Sequence, residues 1–354
     1  MATEVTEIVV PDAVLARIAA GAAALDAAPA FPADAFAALE AAGLLAFTAG
    51  GDVPRAAEWP AVRAVAAADG SVGRLYEGHL NAVERLAVAA AEPLRSAELE
   101  ALARGERRLG VWGADPAPHE GRPASLVEAP GGLAVEGTKV FCSGAGGLTH
   151  ALVTARPETP GPPVLVYLDL TDAEIDRDWF RAGGMRASES HRVTFPRTPV
   201  LAVLGGPGEL GREPWFSRDA LRTAAAWAGI ADAAARAALD DLAARGAPDD
   251  ARAAAAARIA TAQQTIDRWM THAAAVADAD PDASLPRLAV QLRLAVSDAG
   301  RTLLDETARA CGSRPFATGA PLDRARRDFE LFTLQHRLEP LLVRAGRAQL
   351  EEHA

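Results

Sequence analysis

The sequence predicts an α+β fold in three parts: a helical N-terminal domain over 1–106, an antiparallel β domain over 107–212 and a C-terminal four-helix domain over 213–354. Three observations predict it. From Asp12 to about Arg104, Ala, Leu and Val recur at three- and four-residue spacing, with Pro and Gly only at breaks. Between Leu109 and Leu204 the composition shifts to β-branched residues, Gly and Pro, with alternation and turn signals roughly every 8–15 residues. From Glu213 onward the helical period returns in several long stretches. Helices, then strands, then helices indicate α+β layering and disfavour a βαβ sheet with a Rossmann nucleotide site.

In the first part, Asp34 stands where it can cap a helix whose apolar face is Phe36, Leu39 and Leu44, and Gly43 sits where such a helix commonly stops. A second helix is expected to start near Pro60 and a third near Ser71 or Gly73. The middle part carries short apolar runs at Ser125–Ala129, Leu133–Gly144, His150–Arg156, Pro162–Leu170 and His191–Pro196. The last part is broken at Gly246-Ala247-Pro248, Asp280-Pro281-Asp282, Gly312-Ser313-Arg314-Pro315 and Pro340, and its Ala-rich faces suit close helix packing.

Composition narrows the function. The 354 residues are 50% hydrophobic and 23% charged, as in an ordinary globular chain. The formal charge is -11 and the pI about 5.2, which is the wrong sign for attraction to nucleic acid or an anionic membrane. Among 36 basic residues a single one, Lys139, is a lysine. Cys142 and Cys311 are too far apart for a metal knuckle and too few to staple a secreted chain, so a cytoplasmic protein is expected. The first residues are acidic where a signal peptide needs basic ones, and no apolar run reaches the roughly 18 residues of a bilayer span. No phosphate-binding P-loop or dinucleotide fingerprint is present.

Three strings carry candidate chemistry. Gly137-Thr138-Lys139-Val140-Phe141-Cys142-Ser143-Gly144-Ala145 is a strand that ends in small residues, where backbone can approach a flat ligand and Ser143 can hydrogen-bond its edge. Alone it also describes a hairpin with a surface serine. Tyr76-Glu77-Gly78-His79-Leu80-Asn81 sets a histidine inside a helix, which is more often a satisfied core residue than a catalyst. Ala310-Cys311-Gly312-Ser313-Arg314 followed by Arg327-Asp328 through His336 reads as a helix cap, a loop and a second helix with paired charges.

Together, in this order, these strings resemble the acyl-CoA dehydrogenase superfamily of flavoproteins over nearly the whole chain. Gly137-Thr138-Lys139-Val140-Phe141-Cys142-Ser143-Gly144 is similar to the family's G-x-K-x-W-I-T-N strand, and the resemblance implies an aromatic at Phe141 beside the isoalloxazine and a hydroxyl at Ser143 near flavin N5. Gly184-Met185-Arg186-Ala187-Ser188 through Phe195 resembles the strand pair that follows. Leu109-Gly110-Val111-Trp112-Gly113 matches the first flavin-lining strand, although the Thr-Glu pair that usually follows it is absent. By the same resemblance Trp112 lines the cofactor, and Gly312 and Arg314 meet a flavin phosphate, in a neighbouring subunit. The implied cofactor is FAD or FMN and the implied assembly a homodimer or homotetramer.

Acyl-CoA dehydrogenation needs a base for the α-proton. Where the family usually carries a glutamate, about eight residues after its Arg-Asp, this chain has His336, and on the first C-terminal helix the nearest carboxylate is Asp219. A histidine there, with His79 and Ser143, resembles the flavin-dependent monooxygenase branch, in which a separate reductase supplies reduced flavin that reacts with O2. That resemblance implies His79 and His336 as proton-transfer residues, Ser143 at the flavin and a small organic molecule as substrate. The alternatives are an acyl-CoA dehydrogenase with an unconventional base or an inactive flavoprotein. Of the other histidines, His119, His150, His272 and His353 read as structural or solvated, with His150 in a turn, and Cys142 reads as a core residue.

Overall fold

The computed structural model describes residues 8–50, 53–247, 249–317, 319–335 and 337–353. Five helices come first: α1 (Asp12–Ala27), α2 (Ala33–Ala41), α3 (Arg55–Ala68), α4 (Gly70–Ala89) and α5 (Leu94–Ala103). Seven strands follow: β1 (Leu109–Trp112), β2 (Ser125–Ala129), β3 (Gly132–Cys142), β4 (His150–Ala155), β5 (Val164–Asp169), β6 (Glu174–Asp176) and β7 (His191–Leu204). Five more helices close the described chain: α6 (Trp215–Ala244), α7 (Asp250–Ala279), α8 (Pro286–Cys311), α9 (Pro321–Leu334) and α10 (Glu339–Glu351). Among the described residues no helix is long and apolar enough to cross a membrane.

The strands form one curled sheet in the order β1-β4-β5-β7-β3-β2, with β6 added on β7. All pairs are antiparallel except β1 with β4, which run parallel from Leu109 opposite His150, so the purely antiparallel expectation needs that correction. The long β7 makes the curl, because its first part pairs with β3 and its last part with β5. β4 and β5 are apolar on successive residues because both faces of the sheet are covered.

Several helix boundaries differ from expectation for identifiable reasons. α3 begins at Arg55, upstream of Pro60, because the carboxylate of Asp278 on α7 accepts the Arg55 and Ala56 N–H groups at 2.5 and 2.9 Å and caps the helix from another part of the chain. Asp34 lies in the first turn of α2 rather than at its cap, where its charge still favours the helix N-terminus. Pro340 opens α10 instead of breaking a helix, since a first-turn residue has no intrahelical N–H bond to lose.

α4 organises the molecule. Asp69 caps it by accepting from Val72 N–H at 2.8 Å. Its Leu75, Tyr76 and Leu80 join a core that contains residues of α1, α2 and α3 together with α6, α7, α8 and α9. Its Val83 and Leu86 instead pack on the sheet with Leu109, Leu152, Leu165 and Tyr167. A helix buried along nearly its whole length thus brings the helical core and the sheet together, and the N- and C-terminal helices share one interior. Gly229 of α6 allows a close approach to α3: a Cβ there would lie 2.2 Å from the Arg63 carbonyl.

Candidate active site

The site begins where β3 ends. Pairing between β3 and β7 slips between Lys139 and Cys142, and in that slip Phe141 adopts a left-handed φ of 52°. Such a conformation is strained for an aromatic residue and points to a functional constraint. Phe141 is 56% exposed, and its ring meets Trp179 edge-on with centroids 4.9 Å apart. Cys142 turns back into the core, and burial pushes its thiol well above the ordinary value, which makes it inert.

Ser143 follows, half-buried, at the mouth of a recess between α4 and β1. The walls are Arg74, Leu75 and Gly78 of α4, Leu109, Gly110 and Val111 of β1, and Leu148. The recess is about 10 Å³, room for about one water molecule. Trp112 Nε1 donates to the Ser143 carbonyl at 3.0 Å and fixes the main chain there. The Ser143 hydroxyl lies 2.8 Å from that of Ser190.

Arg74 is the cation of the recess. Its Nη1 donates to Glu77 at 2.5 Å, one turn along α4, and its guanidinium lies 5.7 Å over the Phe332 ring of α9. A side chain at position 78 would crowd it, since a Cβ there would be 2.9 Å from Nη1. Glu77 is buried, which raises its pKa against the opposing pull of Arg74 and Arg222, and its other oxygen accepts from Asn81 at 2.8 Å.

His79 is placed differently from the expectation. It is fully buried; Nδ1 accepts the Leu109 N–H at 3.0 Å, so the proton sits on Nε2 and is donated to the Leu45 carbonyl at 2.8 Å. Burial lowers its pKa to about 4. Both nitrogens are consumed by backbone partners, and a proton-transfer role at a ligand is not what this geometry supports. His336 lies outside the described residues. Trp112, Phe141 and Ser143 are brought together. Gly312 and Arg314 are not near them: both are exposed on the connection from α8 to α9, whose Pro315 lines a separate cleft of about 500 Å³ between α1, α3, α6 and α9.

Sequence reasoning missed three features. Arg74 and Gly78 are four residues apart on α4, the spacing that puts two residues on one helix face. Ser188, Glu189, Ser190 and His191 form a polar run that is wholly buried behind Ser143, with Glu189 Oε2 3.3 Å from His191 Nε2 and 3.0 Å from Arg177. His150, expected in a turn, is instead the buried first residue of β4, stacked on Tyr167 at 5.2 Å. His150 is paired with Asp169 of β5, so its contact with Tyr167 runs diagonally across the two strands. Asp219, the other carboxylate considered as a base, is bound by Arg85 at 2.7 Å, and burial raises its pKa to about 6 against the pull of Arg85 and Arg222.

Most of the backbone is similar to that of solved enzymes. TdsC, a dibenzothiophene monooxygenase of a Paenibacillus species, crystallised with FMN and indole, matches with a TM-score of 0.85 at 21% identity over 96% of both chains. The chain has an acyl-CoA dehydrogenase-like fold. A nitrososynthase of Micromonospora carbonacea var. africana shares this acyl-CoA dehydrogenase-like arrangement, with a TM-score of 0.78 at 26% identity over 94% of each chain. KijD3, in complex with FMN and a dTDP-linked amino sugar, matches with a TM-score of 0.79 at 24% identity over 93% of this chain and 90% of its own. Among curated proteins, dibenzothiophene monooxygenases of Rhodococcus qingshengii and Rhodococcus erythropolis (strain XP) are 29% identical over 188 residues. That match covers 48% of this chain and spans 44% of those relatives. No family model matches the sequence.

Proposed function

We propose that this chain is a flavin-dependent monooxygenase that takes reduced FMN from a separate reductase and uses O2 to oxidise a small, largely apolar organic molecule. The observation that carries the reading is the recess at Ser143. A hydroxyl stands at a strand end beside a strained, exposed aromatic, and among the described residues lining the recess there is no carboxylate to serve as the base of a dehydrogenase. The FMN held by TdsC and KijD3 on the same backbone favours FMN over FAD.

The residues present fit a flavin. Ser143 lines the recess, Phe141 and Trp179 offer aromatic surface, and Trp112 holds the Ser143 main chain. Bound there, flavin supplies the two-electron chemistry and the activation of O2. Leu75, Leu109 and Leu148 keep water from the edge that Ser143 holds, and Arg74 supplies a positive charge fixed by Glu77 toward charge that develops near it. His79 acts as a positioning residue that ties β1, and with it one wall of the recess, to the segment after α2. His336, which follows Phe332 by four residues, is the remaining candidate for proton transfer. Gly312 and Arg314 are free for a neighbouring subunit in a homodimer or homotetramer.

The test supplies purified protein with reductase, NADH, FMN and ¹⁸O₂, and a panel of phenols, indoles and thioethers. The expected result is ¹⁸O in one organic product and none without reductase. Tightly held FAD that an acyl-CoA bleaches anaerobically, with no labelled product, would establish the dehydrogenase alternative instead.

A further inference from the structure

α8 carries a buried arginine that no carboxylate balances. Arg293 is 4% exposed, and its Nε and Nη2 are buried without a hydrogen-bond partner. Among the described residues it forms no ion pair. The other arginines of the interior differ: Arg55, Arg85, Arg218 and Arg222 each hold a carboxylate. A charge taken out of water is costly unless a partner of opposite charge meets it, so proteins seldom bury one alone. Arginine does not escape by losing its proton. Burial lowers the Arg293 pKa to about 10, against the raising field of Glu77, and the group stays charged at neutral pH.

A series of ring contacts relates this charge to the recess. Arg293 Cζ lies 5.4 Å over the Trp227 ring of α6. Trp227 meets Phe332 of α9 edge-on at 6.0 Å, and Phe332 carries the Arg74 guanidinium at 5.7 Å. An aromatic pair therefore stands between two guanidinium groups, Arg74 at the recess and Arg293 in the interior. Glu77 is the carboxylate whose field reaches Arg293, and it is already engaged: Arg74 donates to one oxygen, and Asn81 and Thr223 donate to the other at 2.8 and 3.5 Å. Among the described residues, two cations around one carboxylate leave this region one positive charge in excess. The contact with Trp227 offsets part of the cost of burial but satisfies no N–H.

We propose that Arg293 is a specificity-determining residue that receives a carboxylate on the organic substrate. Its two N–H groups without partners, on Nε and Nη2, point the same way from the guanidinium plane and form one bidentate face, the geometry that matches two carboxylate oxygens. The aromatic pair between Arg293 and Arg74 gives the apolar body of such an acid its contact. The substrate class is thereby narrowed to small apolar acids. The proposal rests on the reading of the recess as a flavin site.

The test reads binding by thermal melts, with and without saturating FMN. Wild type and Arg293→Met are titrated with benzoate and hexanoate, and with benzamide and hexanamide as neutral controls, in Tris chloride at constant ionic strength. In wild type at least one acid is expected to raise the melting temperature where its amide does not, and Arg293→Met to weaken that acid about tenfold or more. Without ligand, Arg293→Met is expected to melt at or above the wild-type temperature, because methionine keeps much of the stem and removes a charge that has no partner. A purely structural arginine does the reverse, so a ligand-free variant that melts well below wild type, or fails to fold, overturns the proposal. So do acids that bind wild type no better than their amides, a comparison that needs no variant, and an acid that binds Arg293→Met as tightly as wild type. FMN and riboflavin are titrated into the same proteins: a loss in Arg293→Met confined to FMN assigns the arginine to the cofactor phosphate and overturns the substrate role. Wild type that binds neither flavin overturns the flavin reading itself, whereas flavin bound without a preference for acids overturns only the role of Arg293.

Discussion

Lys139, a single lysine among 36 basic residues, has a definite structural task. Its buried ammonium donates to Asp115 at 2.7 Å and to Thr154 at 2.8 Å, and reaches the Gly113 carbonyl at 3.3 Å, so one point charge joins β3, β4 and the segment leaving β1. Three donors on a compact head suit that set of partners. His79 is equally committed. His79→Ala leaves the Leu45 carbonyl and the Leu109 N–H buried without partners, and is expected to cost about 2–4 kcal/mol of stability, read as a lower urea midpoint; an unchanged midpoint would refute this role. Burial holds the folded imidazole near pH 4 against 6.5 for the free group. The stability that depends on its neutral form is therefore present above about pH 6.5 and lost as the pH falls through about 4. No inflection from His79 should appear in a pH profile of turnover between those values. Neither role was legible in the sequence, because the partners of His79 lie 34 and 30 residues away and a histidine's hydrogen bonds leave no periodic signal.

The helices were legible as elements but not in how they join. Arg222 of α6 is fully buried with Glu58 of α3 and Glu84 of α4, while Asn81 accepts from its Nη1. Arg218 pairs with the same Glu84 at 2.8 Å, and Arg63 of α3 with Asp232 of α6 at 2.6 Å. Charges at these positions look like a solvated face in sequence; only the fold turns that face inward. Arg222→Met takes the shared guanidinium from between Glu58 and Glu84, which leaves Glu58 to Arg55 and Glu84 to Arg218 in a buried network one cation short, and is expected to destabilise by about 3–5 kcal/mol in a denaturant melt. A loss under about 1 kcal/mol would mean that the network behaves as a surface one. α9 is joined to the Gly184–Ser190 loop through Asp328. Burial, reinforced by the charge of Asp69, raises that carboxyl from 3.8 to about 7. The stability contributed by its protonated form is complete below about pH 4 and lost as the pH rises through about 7. Asp328→Asn keeps an acceptor for the Met185 N–H and cannot ionise. Its advantage over wild type should grow between pH 5 and 8 by on the order of 1–3 kcal/mol, seen in thermal melts across that range; a flat or shrinking difference would contradict the assignment.

At the scale of the molecule, the sequence of helices, strands and helices was readable because each part has its own apolar period. The shared interior was not. α4 belongs by sequence to the first part, yet its residues complete both the helical core and one face of the sheet. The candidate site was readable in part: one short strand motif carries Phe141 and Ser143, Trp112 reaches the Ser143 carbonyl from β1, and the recess adds Arg74 and Gly78, which only the crossing of α4 over β1 brings there. The cleft lined by Asp69 and Asp328 is larger but lies apart from these residues. The central claim is that the recess at the end of β3 holds a flavin ring edge. A crystal structure of the protein grown with FMN tests it most directly. The account predicts the isoalloxazine at the recess, with Ser143 Oγ in hydrogen-bond reach of its edge and Phe141 or Trp179 against the ring. FMN bound elsewhere, in the cleft beside Asp328 for example, or absent from crystals grown at saturating concentration, would contradict it.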